Sequence, residues 1–545
     1  MSLDIRNQLI VLIVGACLFM PFLGRVHLFD WDEINFAEAG REMIVSGNYL
    51  QVHINYEPFW EKPPLFFWLQ ALSMRVFGIN EFGARFVNAL CGVLTLLIVY
   101  RIGRKLFDRT MGLLWALAFL GSFLPHLFFK SGIIDPVFNL FIFLGIYFFG
   151  AALGKVESKQ RSPGFLWSGV CIGLATLTKG PVAFLVMALC AISYSICLRR
   201  KVRITVKEIA VFFGALCLVS GLWYGLETLL HGPWFITEFI KYQIRLFKTG
   251  DAGHGRPFYF HFVILLFGCF PASFLAIRSF FMPLKGPGEQ SDFTRWMKTL
   301  FWVVLILFSI VKTKTVLYSS LCYFPITYLA ALHMHAVIKR SIGWNKAHTF
   351  SLAAFGGFVA LIIAAFPIVM MHKEIITPLI ADKFAVACLQ RPIHWSYHES
   401  LIGIGYAAVL ALSVGLLLRK KYASGFASLF LSSALCLQLF MIDMVPKMEK
   451  IAGGGPIEFY QCLKGKNCYA CSLFRTYADL FYFGKMPGIN PRDHDREWLL
   501  SGPIDKPAFF VCRIDKAPEY RGKYDLHELK DEYGFVYFRR DAVLK

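Results

Sequence analysis

The stretch FDWDEINFAEAGREM, residues 29–43, sets Asp30, Asp32 and Glu33 directly after a long apolar run. Lysine and arginine commonly flank a membrane span, so carboxylates in that position need a reason. Carboxylates there can take a proton from a hydroxyl or orient a phosphate. Asp30 and Glu33 have the D-x-x-E spacing of a helix capping box, and early acids suit the helix dipole. That accounts for two of the three and leaves Asp32 as the catalytic candidate.

Three further groups could join it. In NYEPFWEKPPLFFW, residues 55–68, Glu61 and Lys62 are held between aromatic rings and two prolines. The prolines stop a helix from absorbing the pair. Interfacial aromatics explain Trp60, Phe66, Phe67 and Trp68, but not the charges. Asp135 in KSGIIDP opens a very apolar run, where an unpaired carboxylate is costly and therefore a functional candidate; an N-cap before Pro136 is the structural alternative. Isolated cations form the last group: Lys130, Lys179 in TKGP, Arg256 in HGRP, and Lys312 and Lys314 in KTKT. Several cations near acids suit a phosphate or pyrophosphate. His254 with Glu61 makes a thin candidate site for a divalent metal such as zinc.

The elements that would position these residues are membrane helices. The chain of 545 residues is 57% hydrophobic and only 17% charged, with a mean hydropathy of +0.54. Repeated apolar runs long enough to cross about 30 Å of hydrocarbon predict a polytopic α-helical membrane protein with about thirteen spans. They centre near 8–24, 86–106, 111–129, 133–153, 165–181, 182–198, 208–228, 257–281, 296–311, 316–338, 347–371, 401–418 and 423–443. The first reads as an uncleaved span rather than a signal peptide, because the apolar stretch continues past Cys17. The net charge of +20 does not indicate nucleic acid, since the basic residues sit mostly in short loops.

Those loops alternate. RIGRKLFDR, GKVESKQR, RRKVRITVK, KRSIGWNK and RKK are basic and read as cytoplasmic. DWDE, EKPP, KSGIIDP, TKGP, DAGHGRP and KTKT fall on the other face, which gathers the candidate residues on one side. The alternation requires a break at TKGP and a cytoplasmic N-terminus. Residues 1–445 are then a transmembrane unit, with 25–85 as a first external loop carrying the DWDE and EKPP motifs. Residues 446–545 turn polar and show short strands such as PAFFVCRI and GFVYFRR with a helix-like REWLLSG, which predicts a small external α/β domain. AGGGP at 452–456 reads as its linker and not as a nucleotide loop. Of the 14 cysteines, Cys462, Cys468, Cys471 and Cys512 fall in this domain, where a disulfide, free buried thiols or a zinc site are all open.

The block from DWDEINFAEAGREM through EKPPLFFW to FGARF resembles the first external loop of the bacterial lipid A aminoarabinose transferases. These belong to the protein-mannosyltransferase-like (GT-C fold) superfamily of polyprenyl-phosphate-dependent membrane glycosyltransferases. The resemblance implies thirteen helices, a first loop lying on the membrane and a C-terminal α/β domain in the periplasm of a Gram-negative inner membrane. It implies that Asp32 and Asp135 are catalytic acids and that Lys62 lies near the donor phosphate. Glu61 is then a metal ligand, and His254 and Arg256 resemble the later donor-site His and Arg. Tyr318 in KTKTVLYSS resembles the tyrosine of the family's SKxKLPxY stretch. Lys179 and Lys314 join Lys62 and Arg256 as cations for the donor phosphate. Where the family often reads DEARYAE, this chain has DEINFAE, so Asn35 and Phe36 stand for an arginine and a tyrosine; the proline expected after KTKTVLYSS is displaced to Pro325. The implied reaction moves a sugar from an undecaprenyl phosphate to lipid A, with inversion. A protein or glycan acceptor is the alternative, and a lipid-linked sugar flippase is the reading from another class.

Overall fold

The computed structural model describes residues 3–30, 32–155, 157–198, 204–250, 255–282, 288–488 and 490–543. Each of the thirteen apolar runs is helical. The first part of the chain comprises α1 (Leu3–Phe19), α2 (Asp32–Ser46), α3 (Leu65–Phe77), α4 (Glu81–Leu106), α5 (Arg109–Leu120), α6 (Phe123–Phe128), α7 (Asp135–Leu153) and α8 (Ser158–Lys179). It continues with α9 (Val182–Leu198), α10 (Val206–His231), α11 (Trp234–Lys248), α12 (Phe260–Gly268), α13 (Ala272–Phe281), α14 (Gly288–Ile310) and α15 (Tyr323–Ile338). Three long helices follow: Lys346–Met371, Tyr397–Leu418 and a run from Tyr422 to Ala452 that continues across residues 445 and 446.

Among the described residues eight helices are by themselves long and apolar enough to cross a membrane, or nine if α12 and α13 form one span. The protein is thus a polytopic membrane protein. The run expected at 257–281 is broken, with α12 and α13 meeting at 114°. Pro271 stands at that corner as the N-cap of α13, where a missing N–H costs nothing. The run at 111–129 is also divided, at Gly121, whose Cβ position lies 2.3 Å from the Phe430 carbonyl. Any side chain there would push two helices apart.

Aromatic rings fill the bundle. Phe143 stacks on Phe324 at 4.2 Å, and Trp115 packs edge-on against Phe143, Phe293 and Tyr328. Such pairs fix ring orientation beyond what area burial alone would do. The break expected at TKGP is present: α8 ends at Lys179, Gly180 takes φ +98°, and α9 starts at Val182. Glycine is required there, because φ is positive and the Phe239 ring lies 2.3 Å from a Cβ.

Residues from Gly454 onward form a helix, Gly454–Leu463, and a four-stranded sheet. The strands are β3 (Tyr469–Ser472), β4 (Ala508–Arg513), β5 (His527–Glu532) and β6 (Phe535–Arg540), in the order β3-β4-β6-β5. A short two-stranded hairpin, β1 (His53–Ile54) with β2 (Glu57–Pro58), lies far earlier in the chain. The β3–β4 pair is parallel and the others antiparallel. Both faces of β6 are covered: Phe535 and Tyr537 belong to one apolar cluster, Val536 and Phe538 to another. The edge strand β5, HELKDE, is fully exposed, and its charges deter pairing with other chains. PAFFVCRI, GFVYFRR and REWLLSG therefore take the forms their patterns predict. AGGGP does not: Gly454 opens a helix instead of a linker. Its glycines allow close approach, since Cβ positions on Gly454 and Gly455 fall 2.9 and 2.8 Å from Arg391 and the Tyr537 hydroxyl. Cys462, Cys468, Cys471 and Cys512 are free thiols.

Candidate functional site

The first loop is nailed down by one buried ion pair. Arg85, on α4, donates to Glu33 through Nε at 2.8 Å and Nη2 at 2.7 Å. Its remaining N–H groups reach the carbonyls of Leu23 (2.7 Å), Val26 (2.6 Å) and His27 (2.9 Å). All five guanidinium donors are therefore used. Glu33 also accepts from the backbone N–H of Phe29 and of Gly132. The expected Asp30–Glu33 capping box is absent, because Glu33 is consumed by Arg85 and Asp30 accepts from the Thr476 hydroxyl at 2.8 Å. Asn88, one turn further along α4, donates to the Ile133 carbonyl at 2.6 Å. One face of α4 thus holds the residue after Asp32 and the loop before Asp135 in fixed relation.

On that frame several of the sequence-derived residues converge. Asp32 is half-buried at the first turn of α2, within electrostatic reach of Lys62, Asp135, Lys179 and Glu61. Burial pushes its carboxyl above the ordinary value; the two lysines oppose that rise and the other two acids add to it. Asp135 is buried at the start of α7 and caps nothing. It accepts instead from Lys179 Nζ at 2.5 Å, across the α7–α8 pair. Lys179 lies 5.4 Å from the centre of the Tyr318 ring. Lys62 is 13% exposed and sits 3.9 Å from Glu61 and 5.0 Å from the centre of the Tyr242 ring. Burial and Lys179 lower its ammonium pKa, while Glu61, Asp32 and Asp135 raise it, and the net shift is downward. Two lysines and three carboxylates therefore gather within electrostatic reach of one another, a cluster termed the recess.

The remaining expected residues lie apart from this group. Lys314 is buried and donates to the Val311 carbonyl at 2.6 Å. It faces His261, which sequence reasoning missed and whose Nδ1 lies 3.0 Å from the Ser319 hydroxyl. Arg256 is exposed just ahead of α12. Lys130 is occupied structurally, with its ammonium on the Leu18 and Pro21 carbonyls at the end of α1. Lys312 is exposed. His254 lies outside the described residues. The zinc reading finds little footing in the donors that are described: Glu61 has the Lys62 ammonium beside it, and among the described residues no three His, Cys, Asp or Glu side chains are placed so that they could hold one metal ion.

Two departures from the family pattern have a visible place. Phe36 is buried and packs edge-on against Phe66 and Phe67 at 6.0 and 5.7 Å. Asn35 is buried, and its Oδ1 has no partner among the described residues.

The C-terminal unit borders the recess. Thr476 holds Asp30, two residues before Asp32. The Tyr482 hydroxyl accepts from the Leu28 N–H at 2.7 Å. Arg41 on α2, bidentate to Glu38, also donates to the Lys485 carbonyl at 2.6 Å. Lys485 Nζ returns to Asn55 at 2.6 Å, in the hairpin turn between His53–Ile54 and Glu57–Pro58. The contacts of Thr476 with Asp30 and of Arg41 with Lys485 carried no local sequence signal, since they join residues 446 and 444 positions apart.

The sequence and the fold have known counterparts. The family model of the dolichyl-phosphate-mannose-protein mannosyltransferases matches residues 61–224. An undecaprenyl phosphate-alpha-4-amino-4-deoxy-L-arabinose arabinosyl transferase of Erwinia tasmaniensis is 29% identical over 350 residues, 62% of this chain and 61% of the relative. The match therefore spans less than two thirds of that relative's length. A protein of the same name from Pectobacterium carotovorum is 27% identical over 446 residues, 76% of each chain. The crystal structure of ArnT from Cupriavidus metallidurans bound to undecaprenyl phosphate superposes with a TM-score of 0.78 at 16% identity, covering 98% of both chains. The chain is therefore similar in sequence, over part of its length, to the aminoarabinose transferases and the protein mannosyltransferases, and along nearly its whole length it shares the fold of ArnT.

Proposed function

We propose that the protein is a membrane glycosyltransferase that moves a sugar from an undecaprenyl phosphate donor to lipid A. The observation that carries this reading is the recess itself, where Asp32, Glu61, Lys62, Asp135 and Lys179 meet at the ends of membrane helices. Sugar on a lipid phosphate is already activated. The bond from the anomeric carbon to the phosphate oxygen breaks, and its electron pair leaves with the phosphate. Lys62 and Lys179 are placed to meet that growing charge in a poorly hydrated site. Asp135 orients Lys179 through their hydrogen bond. Asp32 takes the proton of an acceptor hydroxyl, or positions an acceptor phosphate. Attack opposite the leaving phosphate inverts the anomeric centre.

The names of the relatives support this donor, and the resemblance of the first loop supports lipid A as the acceptor. The loop charges support an orientation with the N-terminus in the cytoplasm, the recess on the periplasmic face of the inner membrane, and residues 446–545 as a periplasmic domain after a transmembrane unit of 1–445. Lys314, Tyr318 and Arg256 line the approach of the donor in this reading.

The test is mass spectrometry of lipid A and of envelope glycoproteins from a deletion strain, with and without the wild-type gene. Sugar restored on lipid A supports the proposal. Unchanged lipid A with a sugar missing from protein or polysaccharide moves the acceptor. A donor that is made but never reaches the outer face points to a flippase. In a purified assay, Lys62→Met is expected to lower kcat by about 10²-fold to 10³-fold, the scale of losing one preorganised donor to a developing anion. An unchanged kcat with Lys62→Met would remove Lys62 from the leaving-group role.

A further inference from the structure

The end of the bundle away from the recess holds a cavity of about 610 Å³, lined by Arg104, Lys105, Asp108, Arg109, Thr110 and Lys339. It lies between the α4–α5 turn and the C-terminal end of α15. Arg104 is nineteen residues beyond Arg85 on α4, or about 28 Å along the helix, so the two sites are separate. Four cations meet two carboxylates here, Asp108 in the lining and Asp4 beside Arg104. Asp108 is fully engaged: it caps α5 by accepting from Met111 N at 2.9 Å and also meets Lys339 at 2.9 Å and His335 at 3.1 Å. Arg104 pairs with Asp4 of α1. Lys105 and Arg109 are exposed, and no ion pair holds either among the described residues.

We propose that this cavity binds the phosphodiester head group of an anionic membrane phospholipid. Positive loops at this end of a bundle are expected from topology alone. These cations differ because they cluster around one open depression between the α4–α5 turn and the end of α15, the arrangement that suits an acidic lipid head group. Phosphate oxygens would accept from Lys105 and Arg109, the two cations that no ion pair occupies among the described residues. A lipid fits better than a soluble anion, because α1 leads away from Arg104 with an exposed apolar ladder. Ile5, Leu9, Leu12 and Ile13 are 39–58% exposed and share one helical face. Acyl chains can lie along that face while the head group stays in the cavity.

The experiment is native mass spectrometry of the full chain in detergent, titrated with cardiolipin, phosphatidylethanolamine or inorganic phosphate. Wild type should retain cardiolipin about tenfold better than phosphatidylethanolamine, and K105Q/R109Q should lose about tenfold of that retention. Neutralising Arg419, Lys420 and Lys421, an exposed loop at the same end as judged by the Trp344–Tyr422 ring contact, should change it by less than about twofold. Equal retention of the two lipids overturns the proposal. So does an equal loss in the Arg419–Lys421 variant, which would reduce the effect to general surface charge. Displacement of cardiolipin by millimolar inorganic phosphate would assign the cavity to a soluble anion instead.

Discussion

Asp32→Asn is expected to lower kcat by about 10²-fold to 10⁴-fold, the usual contribution of a positioned acid or base, while the protein still folds and still binds donor. Asparagine keeps the shape and loses the charge and the basicity. The pH profile should change with it. Burial raises the Asp32 carboxyl above its ordinary value of 3.8, so the ionised form accumulates later in a pH titration than for a free aspartate. In wild type kcat/KM should therefore rise with pH along an acid limb displaced upward from the normal carboxylate range. In Asp32→Asn that limb should vanish.

Stability should move in the opposite sense. A carboxyl whose folded pKa is raised binds its proton more tightly folded than unfolded, so ionisation works against the fold. Its effect is absent while both states are protonated, grows as pH climbs from the unfolded value of 3.8 toward the raised folded pKa, and is constant above it. Asp32→Asn should accordingly melt no lower than wild type at neutral pH. A thermal melt together with a transfer assay against pH checks both arms. Full transfer by Asp32→Asn sinks Asp32 as base and as positioner alike; lost transfer with a lowered melting temperature would mark a structural residue.

What the sequence disclosed of this site, and what it hid, divides along physical lines. Charges that interrupt apolar runs are visible locally, because burying them is costly wherever they end up. Asp32, Lys62, Asp135 and Lys179 stood out for that reason, and alternation of loop charge placed them on one face. Partners were hidden. Lys179 and Asp135 are 44 residues apart and meet only because α7 packs along α8. Glu33 fits a capping box locally, which hides its true partner, Arg85, 52 residues on. Arg85 did carry a signal, as an arginine in the first turn and a half of an apolar helix. The hold of Thr476 on Asp30 left no trace, since a threonine in a polar stretch is ordinary. The helix at AGGGP was hidden for a different reason: glycine lowers helix propensity, and only packing against Arg391 and Tyr537 makes it the right residue there.

Arg85→Met should be the most damaging single substitution to stability, at about 3–5 kcal/mol, the range for breaking a buried pair and stranding its partner. The reasoning is a count of orphans. Removing the guanidinium leaves the Glu33 carboxylate buried with only two backbone N–H groups for company. It also strips a donor from the carbonyls of Leu23, Val26 and His27. Each buried group left unpaired carries its own desolvation penalty. Methionine fills much of the space, so cavity formation is a minor part of the loss. The double variant Glu33→Gln/Arg85→Met removes the stranded charge and should recover part of the stability, while the three carbonyls stay unpaired. Activity should not recover in step, because Glu33 also fixes the Gly132 loop that leads to Asp135. Detergent-solubilised melting curves for the wild type and the single and double variants measure the coupling. If Arg85→Met melts within a degree of wild type, the pair is not what holds the first loop against α4, and Asp32 must owe its position to the C-terminal contacts through Asp30 and Arg41.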